Sequence, residues 1–137
     1  MSSSGAVEPV RVSATLAAAG FIAVAGLQLA LALGAPLGRV AWGGSQADLS
    51  SGLRIASAFA ATVLVLAALV VLARASFDFS PVPFEVSRWA TWVLVAGLAL
   101  SALGNFASRS PWERFLMGPI ATAQALLCLI IARSDAA

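Results

Sequence analysis

The chain has 137 residues, of which 61% are hydrophobic and 10% charged, with a net charge of +2 at pH 7 and a mean hydropathy of +0.96. A solvated surface needs roughly a quarter of its residues charged, so a water-soluble domain is excluded. With no histidine and one cysteine, Cys128, the usual zinc, haem and histidine acid–base sets and any CxxC redox pair are excluded too, and the dispersed arginines form no nucleic-acid stripe.

All eight basic residues are arginines, and they bracket four apolar runs. Val12–Gly38 is uncharged over 27 residues, Ile55–Ala73 over 19, Trp89–Ser108 over 20 and Phe115–Ala132 over 18. A helix rises about 1.5 Å per residue and the hydrocarbon core is about 30 Å thick, so each run with its flanking turns can cross it. Backbone groups in lipid must be satisfied internally, and these lengths suit helices rather than the shorter strands of a barrel. The expected fold is all-α, a single polytopic membrane domain over 1–137, with a compact bundle of spans near 13–35, 53–73, 89–108 and 112–132.

The first run could also be read as a secretory signal, with Ala30-Leu31-Ala32 as its cleavage site. Its apolar stretch exceeds the usual length of about 7–15 residues, and retention is the expectation. Four spans put both termini on one side, here end A, together with the Arg74–Arg88 connection. End B holds the 36–52 and 108–113 connections. Arg11, Arg74, Arg88 and Arg133 fall at end A, and Arg39, Arg54, Arg109 and Arg114 at end B. The positive-inside rule counts bases, so it gives no orientation.

Within the connections, Pro36-Leu-Gly-Arg39-Val-Ala-Trp-Gly43 and Pro111-Trp-Glu-Arg114-Phe-Leu-Met-Gly118 share the pattern Pro-x-x-Arg-x-x-x-Gly. A duplicated two-helix unit would produce it, and so would chance at a membrane boundary. Ser110-Pro111-Trp112-Glu113 reads as a capping box starting the fourth helix at Pro111, with Pro119 expected to interrupt it. Ser51 is the expected cap of the second helix. Between Phe77 and Glu85, alternate prolines favour an extended path that places Phe77, Phe79 and Phe84 at the headgroup level.

Small residues at four-residue steps are candidates for close helix packing, or for dimerisation through one of them: Gly26, Ala30 and Gly34; Ala56 and Ala60; Gly97 and Ser101; Gly118 and Thr122. The polar residues of the spans gather toward end B. Gln28 lies roughly 10 Å deep and Asn105 roughly 6 Å, while Gln124 lies near mid-membrane. Arg54, Arg109, Glu113 and Arg114 surround that end. The candidate site is therefore a polar vestibule open toward the 36–52 and 108–113 loops, lined or rimmed by Gln28, Arg54, Asn105, Arg109, Glu113, Arg114 and Gln124. Rim arginines would favour a small anionic solute or a lipid headgroup. Alternatively the amides join helices, the arginines meet lipid phosphates, and Glu113 pairs with Arg54 or Arg109.

The whole chain resembles the small arginine- and alanine-rich four-span membrane proteins of high-GC bacteria, which implies a multi-pass protein of the bacterial inner membrane. Small multidrug transporters have the same span number but use a buried glutamate in the first helix, and Val12–Gly38 contains no carboxylate. Vitamin K epoxide reductase-like proteins need cysteine pairs. The leading expectation is a structural or accessory membrane protein, a subunit of a larger complex or a homodimer. The alternative is a small transporter or a lipid- or anionic-solute-binding protein using the vestibule. No catalytic set, cofactor or metal site is expected, and the immediate partners are membrane lipids.

Overall fold

The computed structural model describes residues 4–134. Their regular structure is helical, without a strand: α1 (Ser4–Ala32), α2 (Ser51–Arg74), α3 (Phe84–Ala107) and α4 (Gly118–Arg133), the last preceded by a π turn over Glu113–Met117. Each is long and apolar enough to cross a membrane, α4 together with its π turn as the 21-residue stretch Glu113–Arg133. The expected all-α bundle of four span-length helices is the architecture found.

Helix α1 packs along α2 and α3 along α4, and the two hairpins meet through α1–α4 and α2–α3. At one end of the bundle Arg11 donates to the Ser76 carbonyl at 3.3 Å, and the largely buried Arg74 donates to the Ser134 carbonyl. These bonds tie the start of α1, the α2–α3 connection and the end of α4 together as end A.

Several helix ends follow directly from their residues. Ala35 N–H bonds the Ala30 carbonyl and Gly34 N–H the Leu31 carbonyl, so α1 closes in a Schellman motif at Gly34. The same pair of bonds recurs after α2, from Phe77 to Leu72 and from Ser76 to Ala73, with Ser76 at φ +59°. The cap of α2 is Ser50, whose hydroxyl accepts from Leu53 N–H at 3.4 Å, rather than the expected Ser51. Helical geometry does begin at Pro111. The interruption expected at Pro119 is taken up just before it, where Gly118 N–H reaches back five residues to the Glu113 carbonyl. A proline ring clashes with the carbonyl four residues earlier, and the wider π turn moves that carbonyl away.

The apolar core lies in the end-A half. Ala14, Ala17, Ala18 and Phe21 of α1 meet Ala67, Ala68 and Val71 of α2 and Cys128 and Ile131 of α4. Lipid tails are as apolar as leucine, so dispersion at close range is what holds such helices together, and alanine permits that range. The expected small-residue faces are mostly used otherwise. A Cβ added at Gly26 or Gly97 would meet nothing within 4 Å, and both glycines face outward. The close approach is at Gly20, where a Cβ would lie 2.4 Å from Gln124 Nε2. Phe77 packs against the core under the Arg11 guanidinium at 4.0 Å, whereas Phe79 is exposed.

Candidate functional site

End B is built by its two connections interlocking. Trp42, Gly43 and Gly44 all have positive φ, at 54°, 84° and 65°, forming a left-handed turn that glycine makes readily and tryptophan does not. That turn aims Gly43 N–H at Glu113 Oε1, 2.8 Å away and seventy residues on. Trp42 is held in its strained conformation by its indole N–H, which donates to the fully buried Ser57 hydroxyl at 2.9 Å. From the other connection, Ser110 Oγ donates to the Arg39 carbonyl at 2.7 Å.

The capping box at Ser110 is formed with a detour. Glu113 N–H reaches Ser110 Oγ at 3.5 Å, the expected half. The reciprocal half passes through Ser108, whose hydroxyl accepts from Ser110 N–H at 3.1 Å and donates to Glu113 Oε2. The carboxylate, 7% exposed, therefore serves helix cap and loop at once. Among the described residues no arginine pairs with it; the ion pair present is Arg88–Glu85 at 3.4 Å, on the exposed start of α3.

Behind this interlock lies a cavity of about 420 Å³, lined by Val40, Ala41 and Trp42 of the loop, Gln28 of α1, Phe59 and Val63 of α2, Ser101 and Asn105 of α3, and Glu113. Phe59 is 72% exposed, so one wall lies at the outer surface between α2 and α3. A second space of about 590 Å³ continues outward over Gly43, Asn105, Ser108, Arg109 and Glu113. A small recess of about 80 Å³ is lined by Ser101, Asn105 and Gln124.

Five of the seven candidate residues thus line three neighbouring spaces that share Ser101 and Asn105: Arg109 and Glu113 the first, Gln28 and Glu113 the second, and Gln124 the third. The other two do not. Arg54 Nε donates to the Ala32 carbonyl at 2.9 Å, completing the end of α1, and Arg114 stands over the Phe115 ring at 5.5 Å. Gln124 joins helices as well, with Nε2 donating to the α1 carbonyl of Ala17 at 3.0 Å. Asn105 Nδ2 meets only Ser101 Oγ at 3.5 Å, and the buried Gln28 Oε1 accepts no hydrogen bond. The threonine hydroxyls are spent within their own helices: Thr15, Thr62, Thr91 and Thr122 each donate four residues back.

The expectations left out Trp42, Gly43, Ser57 as its partner, and Ser108. Nothing local to Gly43 indicates that its amide would be presented to Glu113, seventy residues on. Among the described residues no group of three or more Cys, Asp or Glu side chains is placed to hold a metal ion. The two Pro-x-x-Arg-x-x-x-Gly segments adopt different backbones, a left-handed loop ending at Gly43 and a π-opened helix ending at Gly118, so the shared pattern is not a shared structure.

Chemically, the space offers acceptors more than donors, with one carboxylate inside and one guanidinium at its outer edge. Neither charge is consumed by the other. Comparison with family models, with curated proteins and with solved structures gives no match to this chain.

Proposed function

We propose that this is a multi-pass protein of the bacterial cell membrane, with both termini on one side, which binds an amphiphile in the end-B vestibule. The observation that carries the reading is the cavity of about 420 Å³, with polar Gln28, Asn105 and Glu113 on its inner walls and outward-facing Phe59 on another. A polar interior reached from the apolar flank suits a molecule with one polar and one apolar end.

The test is ligand-dependent stabilisation of the purified full-length chain. Gln28→Leu and Asn105→Leu should keep the fold and remove saturable stabilisation by added single-chain amphiphiles. Unchanged stabilisation in both variants would end the vestibule reading.

A second reading, an accessory subunit, is favoured by α3. Only 11% of its most apolar stretch is buried, against 33% for α1 and for α4, and exposed Gly97 and Gly104 lie along it. Small residues on an uncovered span favour helix association. A stoichiometric membrane partner that is lost on Gly97→Leu would support this reading; a monomer insensitive to that change would remove it.

A further inference from the structure

We propose that the headgroup this vestibule selects is the zwitterionic one of a phospholipid bearing a primary ammonium, the ammonium seated against Glu113 and the phosphate against Arg109. The inference rests on the amphiphile reading above and adds the chemistry of the ligand.

The charge placement argues for it. Glu113 and Arg109 line the same space of about 590 Å³, yet they form no ion pair. Glu113 accepts one bond at each oxygen, from Gly43 N–H and from the Ser108 hydroxyl, both neutral donors. A carboxylate has about four lone-pair sites, so acceptor capacity is left, and a buried charge without a countercharge is costly. An ammonium supplies both the missing charge and the missing donors. Beside it the side-chain amide of Asn105 adds a further acceptor on the cavity wall.

Arg109 makes no hydrogen bond to the described chain and lines the outer space together with Glu113. Arginine matches phosphate geometry with two parallel donors. A purely anionic headgroup meets the opposite arrangement: Glu113 repels it, and Arg54 and Arg114 are engaged elsewhere. Phe59 at the outward wall leaves the acyl chain along the α2–α3 flank rather than inside the bundle.

The experiment uses the full-length protein in a neutral sugar detergent. It is titrated with phosphoethanolamine, N-monomethyl, N-dimethyl, phosphocholine and phosphoglycerol lipids of identical chains. Binding is read by tryptophan quenching with brominated chains and by the shift in unfolding temperature. Phosphoethanolamine should bind about tenfold tighter than phosphocholine, which has no N–H, and tighter than phosphoglycerol, with affinity falling stepwise through the methyl series. Glu113→Gln keeps an acceptor for Gly43 and should collapse the ranking. Arg109→Gln should weaken all phosphate headgroups alike and preserve their order, and Arg114→Gln should change nothing.

A flat methyl series on the native chain, or a preference for phosphoglycerol, overturns the proposal, and neither result depends on any variant folding. If every headgroup binds equally and Gln28→Leu abolishes that binding, the headgroup assignment fails while the vestibule stands. If none binds saturably, both fail.

Discussion

Gly20→Ala is the most incisive single substitution, because one methyl group there collides with one identified polar contact. The new Cβ would lie 2.4 Å from Gln124 Nε2 and 2.8 Å from its Cδ, while that same Nε2 holds the Ala17 carbonyl at 3.0 Å. The amide must swing away and forfeit its bond, or α1 and α4 must separate. Overpacking costs about 1–3 kcal/mol, and an interhelical hydrogen bond in a bilayer contributes about 0.6–1.7 kcal/mol. Alanine returns up to about 1 kcal/mol in helix propensity, leaving a net effect from near neutral to a loss of about 2 kcal/mol. Unfolding by a denaturing detergent in mixed micelles, followed by helical circular dichroism, measures it. The decisive step is the double-mutant cycle with Gln124→Ala, which removes the obstructing amide. In that background Gly20→Ala should be neutral or stabilising, a coupling of at least about 1 kcal/mol. An equal penalty in both backgrounds would refute the reasoning, since the collision would then not be with Gln124.

Ser76→Gly should stabilise the fold by about 1 kcal/mol, because Ser76 sits at φ +59° where a side chain is strained; the same unfolding assay reads it, and a loss of stability would contradict the Schellman assignment. Glu113→Leu should cost about 2–4 kcal/mol by stripping Gly43 N–H and the Ser108 hydroxyl of their shared acceptor, with Glu113→Gln milder. Proteolysis of the 36–50 loop should accelerate in Glu113→Leu, and unchanged cleavage would show that the carboxylate does not hold the loop. Trp42→Phe removes the donor to the buried Ser57 hydroxyl and should cost about 1–2 kcal/mol, with Ser57→Ala in the same chain recovering most of it.

The four helices are legible in the sequence because charge cannot enter lipid cheaply, so the arginines mark where spans stop. Ends with local chemistry are legible to within a residue: Ser110 and Pro111 start the helical stretch that leads through the π turn into α4, while adjacent serines left Ser50 and Ser51 interchangeable as the cap of α2. Depth is legible as well. Counting residues from the boundary arginines brought Gln28, Asn105, Glu113 and Gln124 toward one end, and the neighbouring cavities lie beside them.

Direction around the helix axis is what the count omits. Arg54 and Arg114 have the right depth, but one caps α1 and the other lies over Phe115. The Gly26, Ala30 and Gly34 spacing likewise lacks direction in a chain so rich in alanine, and the contact was made at Gly20 instead. Glu113 shows the remaining gap. Its local pattern foretold a capping box, but its second partner lies seventy residues away on a loop without periodicity. Only the packed hairpins bring that amide within reach.

The alanine-packed core and the hydrogen bonds to Glu113 lie toward opposite ends of the same helices. The bundle is therefore built like a pair of tongs, with its pivot at the termini and its jaws at the other end. Close helix contact resists separation at the pivot, while at the jaws the clasp is a handful of hydrogen bonds converging on one carboxylate. On the proposed reading, a molecule entering at the jaws displaces hydrogen bonds to Glu113 and leaves the alanine contacts of the pivot in place.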